Sequence, residues 1–314
     1  MALVDSAQVK QQALDLGFTN VGIAPAVALL PAREAYRQWL KQDFHGEMAY
    51  LAEHEELKTT PTNLLPSAKS AIVVSLNYFQ EPQATVKVAR YALGRDYHKE
   101  LRGRLRQFET LLKTEHPDAE FRACVDSAPI LERSYALMAG IGWFGKNTML
   151  IDSKRGSWFF LGVLLTSIPF QPDDPSNGGC GTCQKCIEAC PTGAIVQLDN
   201  RWQIDARSCI SYQTIEKKGE LDVDTHGWLF GCDVCQEVCP FNEQRASQPM
   251  RAETTTNEGF LKQRQFPSLQ QIIDMDYETW DELTRGSAIR RAGYEGLKRN
   301  ARAALKPSRG QHDG

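Results

Sequence analysis

At 314 residues the chain exceeds one average domain, and with 42% apolar and 24% charged residues its composition is that of a globular protein with more than one core. A net charge of −3 excludes a uniformly basic nucleic-acid binder and leaves room for local patches. The opening MALVDSAQVKQQALDLGF has no basic n-region, apolar h-region or twin arginine, and no apolar stretch approaches the ~20 residues of a membrane span.

Taken in chain order, residues 6–16 carry Val9, Ala13 and Leu16 at helical spacing and stop at Gly17, while 31–43 open on Pro31 and stop before Gly46. Residues 71–76 are a β-branched apolar run, hence a buried strand. A long amphipathic helix follows, with Leu101, Leu105, Phe108 and Leu112 along one stripe. Strands are expected at 121–125, 148–151 and 158–166, with a helix over 129–139 between the first two. That alternation predicts an α/β layered unit over residues 1–170. Pro169, Pro172, Pro175, Gly178 and Gly179 mark its boundary with a cysteine-rich unit over 171–245. Residues 246–314 are polar, then helical, and end in a basic tail.

The cysteine-rich unit holds eight of the nine cysteines. Cys180-x2-Cys183-x2-Cys186-x3-Cys190-Pro191 has the bacterial ferredoxin spacing, in which three thiolates hold one 4Fe-4S cube and the fourth reaches across to a second. Cys232-x2-Cys235-x3-Cys239-Pro240 lacks one member, which Cys209 can supply. Cross-ligation assigns Cys180, Cys183, Cys186 and Cys239 to one cluster, and Cys190, Cys209, Cys232 and Cys235 to the other. Zinc ribbons instead use two separated C-x2-C knuckles, and the C-x3-C-x2-C order of radical-generating adenosylmethionine enzymes is absent. Ligand spacing without an export signal points to a reducing cytoplasm rather than to disulfides. Cys124 is left over in an expected strand and reads as a small core residue.

What the clusters feed is indicated by a resemblance. Val125-Asp126-Ser127-Ala128-Pro129-Ile130-Leu131-Glu132-Arg133, Gly140-Ile141-Gly142-Trp143-Phe144-Gly145-Lys146-Asn147, Arg90-Tyr91 with Asp96-Tyr97-His98, and Cys209-Ile210-Ser211-Tyr212 with Gly231-Cys232-Asp233 together resemble epoxyqueuosine reductase. The resemblance runs from the first helix to about residue 245. It implies a cytoplasmic, monomeric oxidoreductase with two 4Fe-4S clusters and cobalamin, cob(II)alamin at rest and cob(I)alamin when active. Its fold would join a cobalamin-binding α/β domain similar to reductive dehalogenases, a ferredoxin-like domain and a short helical extension.

The substrate implied is a tRNA carrying epoxyqueuosine at the wobble position, its epoxide reduced with electrons from an external low-potential donor such as ferredoxin or flavodoxin. Side chains alone offer no such reductant, so a cofactor has to carry the chemistry.

By the same resemblance Asp126 is the proton donor. That role needs a carboxyl kept protonated near neutral pH, and Val125, Ala128, Pro129 and Ile130 are expected to raise its pKa by desolvation. The competing reading is a helix cap, although Pro129 at the first helical position would make Ala128 the cap. Asp96-x-His98 opens like the D-x-H-x-x-G motif that brings histidine to cobalt, but Leu101 stands where the glycine belongs.

The resemblance places Tyr97 and His98 beside the corrin without ligation, and aligns Lys58, Ala89, Leu150, Leu161, Ile210 and Ser211 with corrin-contacting positions. Lys58 and Ala89 depart from the residue types expected there. Lys217 resembles a tRNA-contacting position or is a solvated lysine. Arg285, Arg290, Arg291, Lys298, Arg299, Arg302, Lys306 and Arg309, with only Glu295 against them, form either a phosphate-binding tail or a solvated basic helix face. The alternatives are a reductive dehalogenase-like corrinoid enzyme, against which the missing twin-arginine signal argues, and a non-enzymatic electron carrier.

Overall fold

The computed structural model describes residues 3–126 and 128–306, so Ser127 and Arg309 lie outside it. Its centre is an antiparallel sheet ordered Asn20–Pro25, Ser70–Asn77, Phe159–Thr166, Phe121–Cys124. Alternation along Ser70–Asn77 sends Ile72, Val74 and Leu76 to one face and Ala71 and Val73 to the other, and all five are buried. The helices Ala7–Asp15 and Tyr97–Glu115 cover the first face, and Glu132–Met138 covers the second. The stripe of Leu101, Leu105, Phe108 and Leu112 is what seats the long helix on the sheet. Cys124 is fully buried on the second face.

Three sequence expectations shift. The strand Asn20–Pro25 was not expected: with Gly22 and Pro25 its local β signal is weak, and it exists because it pairs with Ser70–Asn77. Gly22 is needed there, since a Cβ would sit 2.0 Å from the Ala139 carbonyl oxygen. The helix expected from Pro129 begins at Glu132 instead, because Ala128 to Ile130 form a turn with Ile130 N–H donating to the Ala128 carbonyl at 2.8 Å. Of the expected strand 148–151 only Leu150–Ile151 forms, paired with Trp143–Phe144, because Thr148 adopts a left-handed backbone in the hairpin turn.

Two short helices, Lys185–Glu188 and Val234–Glu237, pack against each other and carry Cys186 and Cys235, as a duplicated loop-helix unit would. The C-terminal helices are not an appendage. Ile272, Trp280, Ile289, Leu297 and Ala301 share one core with Val88 and Leu93 from the first half and with Leu229 and Phe230 from the strand Trp228–Phe230. No helix among the described residues is long and apolar enough to cross a membrane.

Phe108 is wholly buried against Phe18. Phe108→Ala is expected to destabilise the protein by about 3–5 kcal/mol, read as a lowered urea midpoint with an unchanged m-value.

Candidate functional site

The long helix delivers the first set of groups. Asp96 caps it, its Oδ1 accepting the backbone N–H of His98 at 3.0 Å, and the same oxygen lies 2.8 Å from His98 Nδ1. Across the ring, His98 Nε2 lies 2.8 Å from Asp126 Oδ2. The Tyr97 hydroxyl also bonds the Asp126 carboxylate, and the Tyr97 ring stacks on His98 at 4.1 Å and on Phe160 at 4.3 Å. Asp126 itself sits in a left-handed backbone conformation with φ 40°, its N–H donating to Glu132 Oε1 at 2.6 Å. Sheet, helix and turn thus converge on one carboxylate, whose side chain remains 55% exposed.

The electrostatics differ from the sequence expectation. Burial does push the Asp126 pKa up, but the hydrogen bond and charge of His98, the Tyr97 hydroxyl and the charge of Arg291 together hold it below the ordinary carboxylate range. The desolvating flank is present and loses to charge pairing. The proton rests on the partners. His98 is driven down by burial and more strongly up by its bonds to Asp126 and Asp96, reaching about 9. Glu132 is pushed up to about 8, by burial first and then by the Asp126 charge. Lys58 is lowered by burial while Asp126 and Glu132 pull it the other way, which places its amine within reach of both charges. Because both nitrogens of His98 face carboxylates, the imidazole has no lone pair to offer a metal.

The cysteines form a second constellation. Cys186 is pushed up to about 11 by burial and then by Cys180, Cys239 and Cys183, so those four adjoin. Cys232 feels Cys209 and Cys190, and Cys235 feels Cys209 and Cys232. Cys235 also feels Cys186, which makes the two groups neighbours. Cys180, Cys183, Cys186 and Cys239 line a cavity with Lys146, Ile151 and Phe241. Among the described residues no three His, Cys, Asp or Glu side chains close on a single ion. Two groups of four soft thiol ligands are the donor set that four-iron cubes use.

Two polar links tie the second cysteine run to the first half of the chain. Arg90, 11% exposed, packs over Trp158 and pairs with Asp233 beside Cys232, its backbone N–H donating to Asp233 at 2.7 Å. Asn147 donates to the Cys235 carbonyl at 3.0 Å. Asp233, Arg90 and Glu132 had no role assigned from sequence: Arg90 and Asp233 meet from 143 positions apart, and Glu132, close to Asp126 in the chain, is set apart only by the burial that raises its pKa.

The other residues picked out by sequence fall into three places. Leu150 and Leu161 share the apolar layer of Ala128, Ile130 and Leu131 next to Asp126. Ala89, buried, donates its N–H to Phe230, and its Cβ lies 2.5 Å from where a side chain on Gly231 would begin. Ile210 is buried and Ser211 half-buried at the start of the helix Ile210–Ile215, whose N-cap is Cys209. Lys217 is held by Glu47 at 2.8 Å and Asp222 at 3.1 Å. In the tail, Arg285 and Arg290 both pair with Asp281, Arg291 with Glu216, and Lys298 donates to the Met275 carbonyl. Much of its charge is therefore committed within the fold.

Known proteins resemble the chain over nearly its full length. Residues 58–127 match the family described as Epoxyqueuosine reductase QueG, DUF1730, and residues 179–242 match the 4Fe-4S double cluster binding domain. An epoxyqueuosine reductase of Cyclobacterium marinum is 40% identical across 93% of this chain and 94% of its own, and that of Escherichia coli (strain K12) is 41% identical across 95% and 80%. A crystal structure of epoxyqueuosine reductase with an epoxyqueuosine-modified tRNA-Tyr stem loop superposes with TM-score 0.80 at 29% identity, covering 95% of this chain and 80% of that one. The Bacillus subtilis enzyme, solved with its catalytic aspartate loop swung out of the active site, has the same score, identity and coverage.

Asp126 makes the largest upward contribution to His98. In Asp126→Asn the His98 imidazole is expected to titrate well below about 9, toward 6.5, by NMR of its ring protons; an unchanged value would show that Asp126 does not charge the ring.

Proposed function

Because the chain belongs to the epoxyqueuosine reductase family, we propose that it reduces epoxyqueuosine at the wobble position of tRNA to queuosine, with Asp126 as the last protein atom to handle the proton. The observation that carries the assignment to this site is the Asp96–His98–Asp126 chain, with the exposed carboxylate at its end. The relative solved with a modified tRNA stem loop supports a tRNA substrate.

Turning an epoxide into an alkene consumes two electrons and two protons and releases the oxygen as water. Cobalamin, when bound, supplies the two-electron reductant, fed one electron at a time by an external low-potential donor through two 4Fe-4S clusters. The first cluster is assigned to Cys180, Cys183, Cys186 and Cys239, the second to Cys190, Cys209, Cys232 and Cys235. Tyr97, His98, Leu150, Leu161, Ile210 and Ser211, with Lys58 and Ala89, would hold the corrin, His98 as a neighbour whose two nitrogens are taken by carboxylates. Residues 1–170, 171–245 and 246–314 are read as the catalytic, cluster and C-terminal units of a cytoplasmic enzyme.

The protein's own part is to hold protons in a site where the terminal acid is ionised. His98, charged at neutral pH, shares its Nε2 proton with Asp126 Oδ2 and recharges it as the epoxide oxygen takes the first proton. Glu132, at about 8, stores a second proton beside the Asp126 backbone. Tyr97 orients the carboxylate. Lys217 and the tail would meet the anticodon stem, Lys217 only by exchanging Glu47 and Asp222 for phosphate.

Asp126→Asn is expected to retain both clusters and the corrin while losing turnover by about 10²–10⁴-fold. Wild-type turnover in that variant would remove Asp126 from the mechanism. The sign of the pH dependence follows from the raised pKa values: the stored protons are present below pH 8 and are lost as pH rises through about 8 and then about 9. Single-turnover rates should therefore fall on the alkaline side, and His98→Asn should move that fall to lower pH. A rate flat to pH 10 would exclude His98 as the reserve.

A further inference from the structure

The C-terminal helix Tyr294–Leu305 contains a side chain that its basic character does not explain. Asn300 is completely buried, and its amide donates to two backbone carbonyls, those of Thr214 at 2.7 Å and Leu229 at 3.1 Å. Its neighbour Arg299 donates to the carbonyls of Lys217 at 2.8 Å, Gly219 at 2.7 Å and Gln213 at 3.1 Å. The same guanidinium holds the Asn300 side-chain oxygen at 2.9 Å, which fixes the amide with its NH2 toward the two carbonyls.

The carbonyls so captured belong to two segments. Gln213 and Thr214 lie in the last turn of Ile210–Ile215, where a helix leaves its C=O groups without internal partners. That helix starts on Cys209, and the Gln213 N–H donates back to the Cys209 carbonyl at 3.0 Å. Leu229 lies in the strand that leads through Gly231 to Cys232. Thr214, also fully buried, closes the link: its hydroxyl donates to the Ile210 carbonyl at 2.8 Å and accepts the Gly231 N–H at 2.9 Å. One buried amide thus ties the helix behind Cys209 to the strand in front of Cys232.

We propose that Asn300, locked by Arg299, is a positioning residue for the second 4Fe-4S cluster, so that the C-terminal helix is part of the cluster's scaffold. The inference rests on the reading of Cys190, Cys209, Cys232 and Cys235 as one ligand set. It reaches Cys209 and Cys232 through backbone and leaves Cys180, Cys183, Cys186 and Cys239 untouched, which makes the first cluster an internal control.

The experiment uses the full chain, reconstituted anaerobically with iron and sulfide, and measures iron per chain, the electron paramagnetic resonance of the dithionite-reduced protein, and cooperative thermal unfolding. The wild type should hold about eight iron, four per cube, and show the broadened spectrum of two interacting clusters. Asn300→Ala leaves two buried carbonyls unpaired and should fall to about four iron with the spectrum of one isolated cluster, still unfolding cooperatively.

Arg299→Met, which keeps the apolar stem, should bleach half its iron faster in air, and Arg299→Lys should restore part of that. If Asn300→Ala does not fold, the Arg299 pair decides. Eight iron with an unchanged spectrum in Asn300→Ala, or equal loss from both clusters, would overturn the proposal. A wild-type chain holding only one cluster would overturn the cluster reading itself, a distinct result.

Discussion

The meeting of cysteines that are distant in the chain is the constraint on which its arrangement depends. Cys239 has to return to the loop of Cys180, Cys183 and Cys186, and Cys190 has to join Cys209 at the second run. Two short helices carrying Cys186 and Cys235 can then lie side by side. Everything between those cysteines must fold so that the returns are possible. The buried network of Ser157, Gln236 and Asn242 accomplishes part of this, with Asn242 Nδ2 donating to the Gln236 carbonyl at 2.8 Å and Ser157 N–H donating to Asn242 at 2.7 Å. Because Ser157 stands at the entry to the central strand Phe159–Thr166, the cluster loop is tied to the sheet itself. Arg90 makes a second tie through Asp233.

The sheet in turn fixes the pairing of His98 with Asp126. Burying one stripe of Tyr97–Glu115 sets the position of its first turn, and with it Tyr97 and His98. Asp126 arrives from the opposite direction, at the end of Phe121–Cys124, and its left-handed backbone turns the carboxylate toward the ring. The resulting chain of two carboxylates around one imidazole favours the imidazolium, so ionised Asp126 and charged His98 are two aspects of one arrangement. An acid made by desolvation alone would need a dry pocket before substrate arrives. A carboxylate paired with a charged histidine can hold its proton reserve while the site is open to solvent.

What the sequence made legible follows the range of the interactions. Ser70–Asn77 and Phe159–Thr166 were readable because burial on both faces leaves continuous apolar runs. The long helix was readable from its stripe, and the grouping of the cysteines from their local spacing. Asn20–Pro25 was not, because its strand character comes from a partner some fifty positions away. The pKa of Asp126 was misjudged for the same reason: its apolar flank is local, whereas His98, Tyr97 and Arg291 reach it through the fold. Pro129 misled by resembling a helix start where the chain needs a turn to present Asp126.

The C-terminal segment shows the same division between composition and placement. Read as composition, a run of Arg and Lys against one Glu suggests a phosphate-binding surface. In the fold, Arg285 and Arg290 share Asp281, Arg291 closes on Glu216 and stacks over Tyr50, and Arg299 takes three backbone carbonyls. Cations used in this way lose much of their capacity to attract a polyanion, and they gain directional hydrogen bonds that a mobile tail could not make. The shared core of Leu297, Ala301, Leu229 and Phe230 then explains why such precision is available: the packing that seats the last helix also fixes where its charges lie. A segment whose composition suggests an arm for substrate also forms, in its described part, a wall of the module that carries the second group of cysteines.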